Sequence, residues 1–293
     1  MSFVAVISEV QTMTPSTLDK TKTMADKNRL SLNQITTERW SLQEAVDGCM
    51  RFGIPSIALW RNKIADVGLN ESVRFVRDAG VHVSSICRGG MFVSPDSEAR
   101  KQRIEENFRA IDDAAALNAD SLVMVVGAHP AVTIDDGRQI VEDGIAAIVP
   151  YAKERGVRIG LEPLHPMFAA DRSVINTIGQ ALAIADPYPP TDVGIILDVI
   201  HIWWDPQLYS LIDRAAPRIM GFHVSDWPAI VPDILKCRCM MGDGVIELRR
   251  IREAIDAAGY NGPIEVEILS EEVWNTHGDR VLERMIERFT SLV

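Results

Sequence analysis

The chain predicts a single-domain (β/α)8 TIM barrel, on three observations. Short apolar, β-rich runs alternate with amphipathic stretches eight times, and strict alternation favours a parallel sheet. Most of the amphipathic stretches are closed by glycine or proline, the usual helix stops. The 264 residues from position 30 to position 293 match the roughly 250 that such a barrel needs, and eight units favour closure over an open sheet.

The elements follow in order. Residues 30–36 read as the first strand, Leu42–Phe52 as a helix ended by Gly53, and Ser56–Trp60 as the second strand. A helix over 71–79 is stopped by Gly80, and 81–87 is the third strand. Arg88-Gly89-Gly90 then reads as a flexible turn that allows close substrate approach. Ser94-Pro95-Asp96 signals the start of a long helix over 98–117. Residues 121–126 form the fourth strand, 137–154 a helix ended by Gly156, and 158–161 the fifth strand. A helix over 174–185 is closed by Pro187, and 193–197 is the sixth strand. Leu208–Ala215 is a helix stopped by Pro217, and 219–222 the seventh strand. A helix over 248–258 stops at Gly259, Ile264–Val266 is the eighth strand, and a helix over 279–292 closes the chain. Residues 1–29 are polar and aperiodic and read as a flexible N-terminal extension, with Met24 a second candidate start and the barrel domain at 30–293.

Composition narrows the function. A net charge of −11 disfavours nucleic acid, whose binding rests on clustered Lys and Arg. No apolar run reaches the ~18–20 residues that span a membrane. MSFVAVISEV lacks a basic n-region and a long apolar core, so it does not read as a signal peptide; a cytoplasmic location is the expectation. Cys49, Cys87, Cys237 and Cys239 read as free thiols in a reducing compartment. No GxGxxG follows the first strand and no GxxxxGK[ST] is present, so a dinucleotide or nucleoside triphosphate site has no support.

Chemistry concentrates at four strand ends. They are Glu162 in RIGLEPLHP, Asp198 in VGIILDVIH, His223 in IMGFHVSDW and Glu267 in GPIEVEILS, spaced by 36, 25 and 44 residues. Each interval fits one strand plus one crossover helix, so a barrel gathers all four at one rim. A carboxylate directly after an apolar run is costly to bury unpaired. Three carboxylates and one imidazole predict one divalent ion, Mn²⁺, Co²⁺ or Mg²⁺, over a sulfur-rich structural zinc site.

LEPLHP, LDVIHIWWDP, FHVSDW and GDGVIELRRIREAIDAAGYNGPIEVEI resemble the sugar isomerase/epimerase superfamily with the xylose-isomerase-like barrel, across roughly residues 30–290. The resemblance implies that Glu162, Asp198, His223 and Glu267 hold the metal. It implies that Glu162 and Glu267 also move protons on opposite faces of the substrate, and that His201, in Asp198-Val-Ile-His201, contacts the substrate. Ketose 3-epimerases of this superfamily carry an Asn-Arg pair after the fifth-strand motif, where this chain has His165-Pro166-Met167-Phe168. They also carry a Gly-Glu and a substrate arginine after the seventh-strand histidine, where Val224-Ser225-Asp226-Trp227-Pro228 lacks that arginine. LEPLHP and HVSDW are closer to the sugar-phosphate isomerase and inosose-dehydratase-like branch.

Further candidates surround this set. His165, in the loop after the fifth strand, joins Glu162, Glu267 and His201 as a catalytic candidate. His129 in VVGAHP, Asp226, Arg172 in AADRS and Trp60 are substrate-binding candidates; Asp226 reads equally as an orienter of His223, and Arg172 suits an anionic group. Trp203, Trp204 and Trp227 read as pocket walls, His82 and His277 as structural. The implied reaction is isomerisation or epimerisation of a sugar or keto-sugar through an enediolate, with carboxylates moving the proton. The competing reading is a lyase on the same scaffold: an inosose-type dehydratase, or a 3-oxo-glycoside deglycosidase working with a small partner subunit. A homo-oligomer is also expected to be compatible with either. The apurinic-site endonuclease branch needs extra histidine ligands, against which six histidines and the acidic charge both argue. A non-catalytic sensor would have no need of both glutamates.

Overall fold

The structure, a computed structural model, describes residues 24–293; the extension read over 1–23 lies outside the described residues. The described chain alternates β1 (Leu30–Asn33), α1 (Leu42–Phe52), β2 (Ser56–Trp60), α2 (Arg61–Val67), α3 (Leu69–Ala79), β3 (His82–Gly90), α4 (Ser97–Ala116), β4 (Leu122–Val125) and α5 (Ile134–Glu154). It continues through β5 (Ile159–Leu161), α6 (Ile178–Ala185), β6 (Val193–Asp198), α7 (Val199–Ile202), α8 (Leu208–Ala215), β7 (Ile219–Val224), α9 (Leu248–Ala257), β8 (Ile264–Val266), α10 (Glu271–Trp274) and α11 (Gly278–Leu292). Each strand pairs with the next, and β1 closes on β8, all parallel. This is the predicted barrel.

Local chemistry explains the elements. Ser41 and Glu44 form a reciprocal capping box on α1, and Gly53 ends it at φ 62°, a left-handed turn that donates to Cys49 and Met50 carbonyls. Inside the barrel, Cys87, Val123, Ile196 and Met220 pack beside Trp60. Gly160 and Gly221 make room for that layer: a Cβ on either would stand 2.6 Å or 2.8 Å from Ile196 Cδ1. The glycines of β5 and β7 therefore serve close packing of a large residue from β6.

Several boundaries differ from the sequence reading. Ala25 is buried, and Arg29 donates to the Gly262 and Tyr260 carbonyls and to Asp256, so packing against the barrel begins before residue 30. β1 ends at Asn33, whose side chain accepts from the Ile35 amide and turns the chain into a short 3-10 helix, Gln34–Thr37. α2 directly follows β2; Arg61 anchors it to Glu106 and Asp113 at 2.8 Å and 2.7 Å. Arg88-Gly89-Gly90 is not a turn but the end of β3. Asn107 of α4 accepts from the Gly90 amide at 2.6 Å and donates to its carbonyl at 2.9 Å, clamping the segment as strand. Among the described residues no helix is long and apolar enough to cross a membrane.

Candidate active site

Register brings the four predicted ligands to one rim. Asp198 on β6 stands beside His223 on β7, and β8 pairs with β7 so that Glu267 follows one residue beyond the ladder. β5 delivers Glu162 directly after Leu161. One candidate ligand atom from each of Glu162, Asp198, His223 and Glu267 lies within 4.8 Å of every other, and all four residues are buried. His223 Nδ1 is 3.5 Å from Glu162 Oε1 and 3.2 Å from Glu267 Oε2.

Behind this cluster stands Glu265, one layer down on β8. Its Oε2 lies 3.1 Å from His223 Nε2 and accepts from Asn33 Nδ2, while Oε1 accepts from Ser84 Oγ. That carboxylate lies at ion-pair distance from Nε2 without a hydrogen bond to it, and a bound cation at Nδ1 would place the ring proton on the Glu265 side. Glu265→Gln should therefore weaken metal affinity about 10–100-fold with the fold intact, as losses behind a ligand do; metal titration of the two proteins measures it.

Arg238 completes the site. Its Nη1 donates to Asp198 Oδ2 at 2.8 Å, to Glu267 Oε2 at 3.0 Å and to the Glu267 carbonyl at 3.1 Å. No arginine stands directly after the β7 histidine, as read from the sequence; Arg238 reaches the cluster from further along the chain. Burial works against the Arg238 charge, yet the Asp198 and Glu267 carboxylates outweigh it and push its pKa up. Burial raises Glu267 too, but Arg238 and His223 hold that carboxyl below the ordinary range. Asp198 is pushed up to about 7 by burial, with Arg238 pulling down and the Glu267 and Glu162 carboxylates pushing up.

The donor set fits a divalent cation. Three carboxylates, with Glu265 behind them, meet one guanidinium and one imidazole in this buried site, and buried carboxylates need positive partners. Hard oxygen donors with one imidazole suit Mn²⁺, Co²⁺ or Mg²⁺.

Above the cluster opens a cleft lined by Glu162, Glu267, His201, Arg238, Trp60, Arg88 and Arg172 among others. His201 is buried, and its Nδ1 accepts from the His165 amide at 3.2 Å. His165 itself stacks on Trp227 with ring centroids 4.9 Å apart, next to the cleft's wall. Trp60 donates through Nε1 to Asn33 Oδ1 at 2.8 Å. His129 is not among the cleft's lining residues; its Nδ1 accepts from the Ala131 amide and shapes the loop after β4.

Asp226, read as a substrate contact or an orienter of His223, is buried and is not among the cleft's lining residues. Its carboxylate accepts from the backbone amides of Trp227, Gly242, Gly244 and Ile246 at 2.9–3.1 Å. A Cβ on Gly244 would fall 2.4 Å from Asp226 Oδ1, so glycine is needed for this approach. Cys239 pairs its backbone with Asp226, and the Arg238 amide donates to the Leu269 carbonyl. Asp226 thus ties down the loop that presents Arg238. The four cysteines are free thiols.

With this geometry in view, the relationships of the chain are informative. Residues 46–292 match the family described as the xylose isomerase-like TIM barrel. The chain belongs to that family. A solved Sinorhizobium meliloti 1021 protein is 44% identical, with a TM-score of 0.88 over 91% of this chain and 99% of that one. Inosose isomerase of Halalkalibacterium halodurans is 24% identical over 89% of this chain and 98% of its own length. A 3-dehydroshikimate dehydratase of Pseudomonas aeruginosa is 26% identical over 79% of this chain, which spans 36% of that longer protein. Xylose isomerase-like relatives of this chain are thus enzymes of both isomerase and dehydratase type.

Proposed function

We propose that the protein is a divalent-metal-dependent isomerase or epimerase of a keto-sugar, working through an enediolate by carboxylate-mediated proton transfer. One observation carries the reading. Of the four clustered side chains, Glu162 and Glu267 line the cleft, whereas Asp198 and His223 lie fully buried behind them. Two groups thus face the substrate and two complete the metal set. When bound by Glu162, Asp198, His223 and Glu267, a divalent ion supplies Lewis-acid polarisation of a substrate carbonyl and its neighbouring hydroxyl.

The protein's own groups do the rest. Glu267, kept ionised beside Arg238, takes the proton from the C–H next to the carbonyl on a carboxylate oxygen. Glu162 returns a proton from across the cleft: to the same carbon for epimerisation, to the neighbouring carbon for isomerisation. His201 and Arg238, both in the cleft wall, orient the hydroxyls. Trp60, Trp227 and Phe168 screen the site from water.

The dehydratase relative favours a second reading, in which the enediolate expels a β-substituent in place of reprotonation. Metal-supplemented protein incubated with ketoses, inososes and 3-oxo-glycosides separates the two by product mass. An isomer of unchanged mass is the expected product. A product lighter by water or by an aglycone would replace the first reading with the lyase.

A further inference from the structure

We propose that Arg88 and Arg172 form an anion subsite in this cleft, and that the substrate carries a carboxylate or a phosphate ester. The proposal rests on the reading of the cleft as the keto-sugar site and adds its substrate class. Both arginines line the cleft that Glu162 and Glu267 line, and Arg88 also faces an adjoining cleft walled by Arg103. Arg88 Nη1 is buried and has no hydrogen-bond partner among the described residues. Arg172 Nε stands 4.0 Å from Asp171 Oδ2, too long for a hydrogen bond, and its guanidinium lies 5.8 Å from the Phe168 ring centre.

Val125, Leu164 and Phe168 pack together in the same wall and offer no polar partner to the buried Arg88 Nη1, while Arg172 keeps 34% of its side chain exposed at the cleft. Burial, and then the nearby Arg172 charge, pull Arg88 below its ordinary pKa, and the Glu162 carboxylate only partly offsets them. Arg238 differs, being fully engaged by Asp198 and Glu267. A planar guanidinium matches a carboxylate or phosphate with two parallel hydrogen bonds. A neutral ketose would leave the buried Arg88 Nη1 without an anionic partner.

Calorimetric binding to metal-supplemented full-length protein tests this with three probes: D-fructose, D-fructose 6-phosphate and 5-keto-D-gluconate. At least one anion should bind more tightly than D-fructose, and which one does so distinguishes phosphate from carboxylate. Arg88→Gln and Arg172→Gln should each weaken that anion about tenfold or more while leaving D-fructose unchanged, in line with the strength of a charged hydrogen bond. Arg88→Lys should restore part of the preference, and melting temperatures verify that each variant is folded. No anion preference in wild type, or a preference that survives in both Gln variants (as direct metal ligation would give), overturns the proposal. Because binding is read and not turnover, an anion preference without isomerase activity would overturn the reaction and leave the subsite standing.

Discussion

Glu267→Gln should lower kcat by about 10²–10⁴-fold, the usual contribution of a positioned general base, while the protein stays folded and keeps part of its metal affinity. The amide retains an oxygen where Glu267 Oε2 now accepts from Arg238 at 3.0 Å and stands 3.2 Å from His223 Nδ1. What it loses is the negative charge that takes up the proton. Of the two cleft glutamates, Glu267 is the one held ionised, as a proton acceptor must be, because Arg238 and His223 offset the effect of burial. Burial pushes Glu162 the other way, up from its ordinary value, which suits a group that delivers a proton. Steady-state kinetics on an active substrate, with metal content measured in parallel, checks this. Turnover near that of wild type in the Gln variant would remove Glu267 from the role.

Asp226→Ala should cost about 3–5 kcal/mol of stability, because a buried charged acceptor of several hydrogen bonds is lost at once. Four backbone amides from residues 227, 242, 244 and 246 converge on that carboxylate. Their loss frees the loop that carries Arg238, so activity should fall together with stability. Asp226→Asn keeps one oxygen acceptor and should lose less on both counts. Denaturant unfolding of the three proteins gives the values; an Ala variant as stable as wild type would show that the loop is held by other contacts.

The four-residue cluster was legible because each member lies at or next to the end of a strand, where the side chain meets the rim. The barrel was legible because eight apolar runs alternate with stretches closed by glycine or proline. Arg238 escaped notice for the opposite reason. It lies fifteen residues beyond His223 in a segment without periodicity. The one signal was its place between Cys237 and Cys239, ahead of Met240-Met241, in a segment whose two cysteines pair with Asp226 and Ser270. Asp226 looked like a site residue because it follows His223 so closely; only the fold shows three amides returning to it from sixteen to twenty residues later. α2 was missed because Trp60 offers no side-chain cap, and its stability comes from Arg61 reaching α4. Arg88-Gly89-Gly90 read as a turn because the partner that makes it strand, Asn107, is distant in sequence.

Solvent hydrogen exchange during turnover tests the central claim most directly. Metal-supplemented protein is incubated in D₂O with an active substrate, and the carbon-bound hydrogens of product and recovered substrate are read by mass spectrometry and NMR. Proton transfer through Glu162 and Glu267, both open to the cleft, predicts deuterium on the carbon next to the carbonyl, with exchange suppressed in Glu267→Gln. Turnover that leaves product and recovered substrate free of solvent deuterium would contradict the carboxylate route.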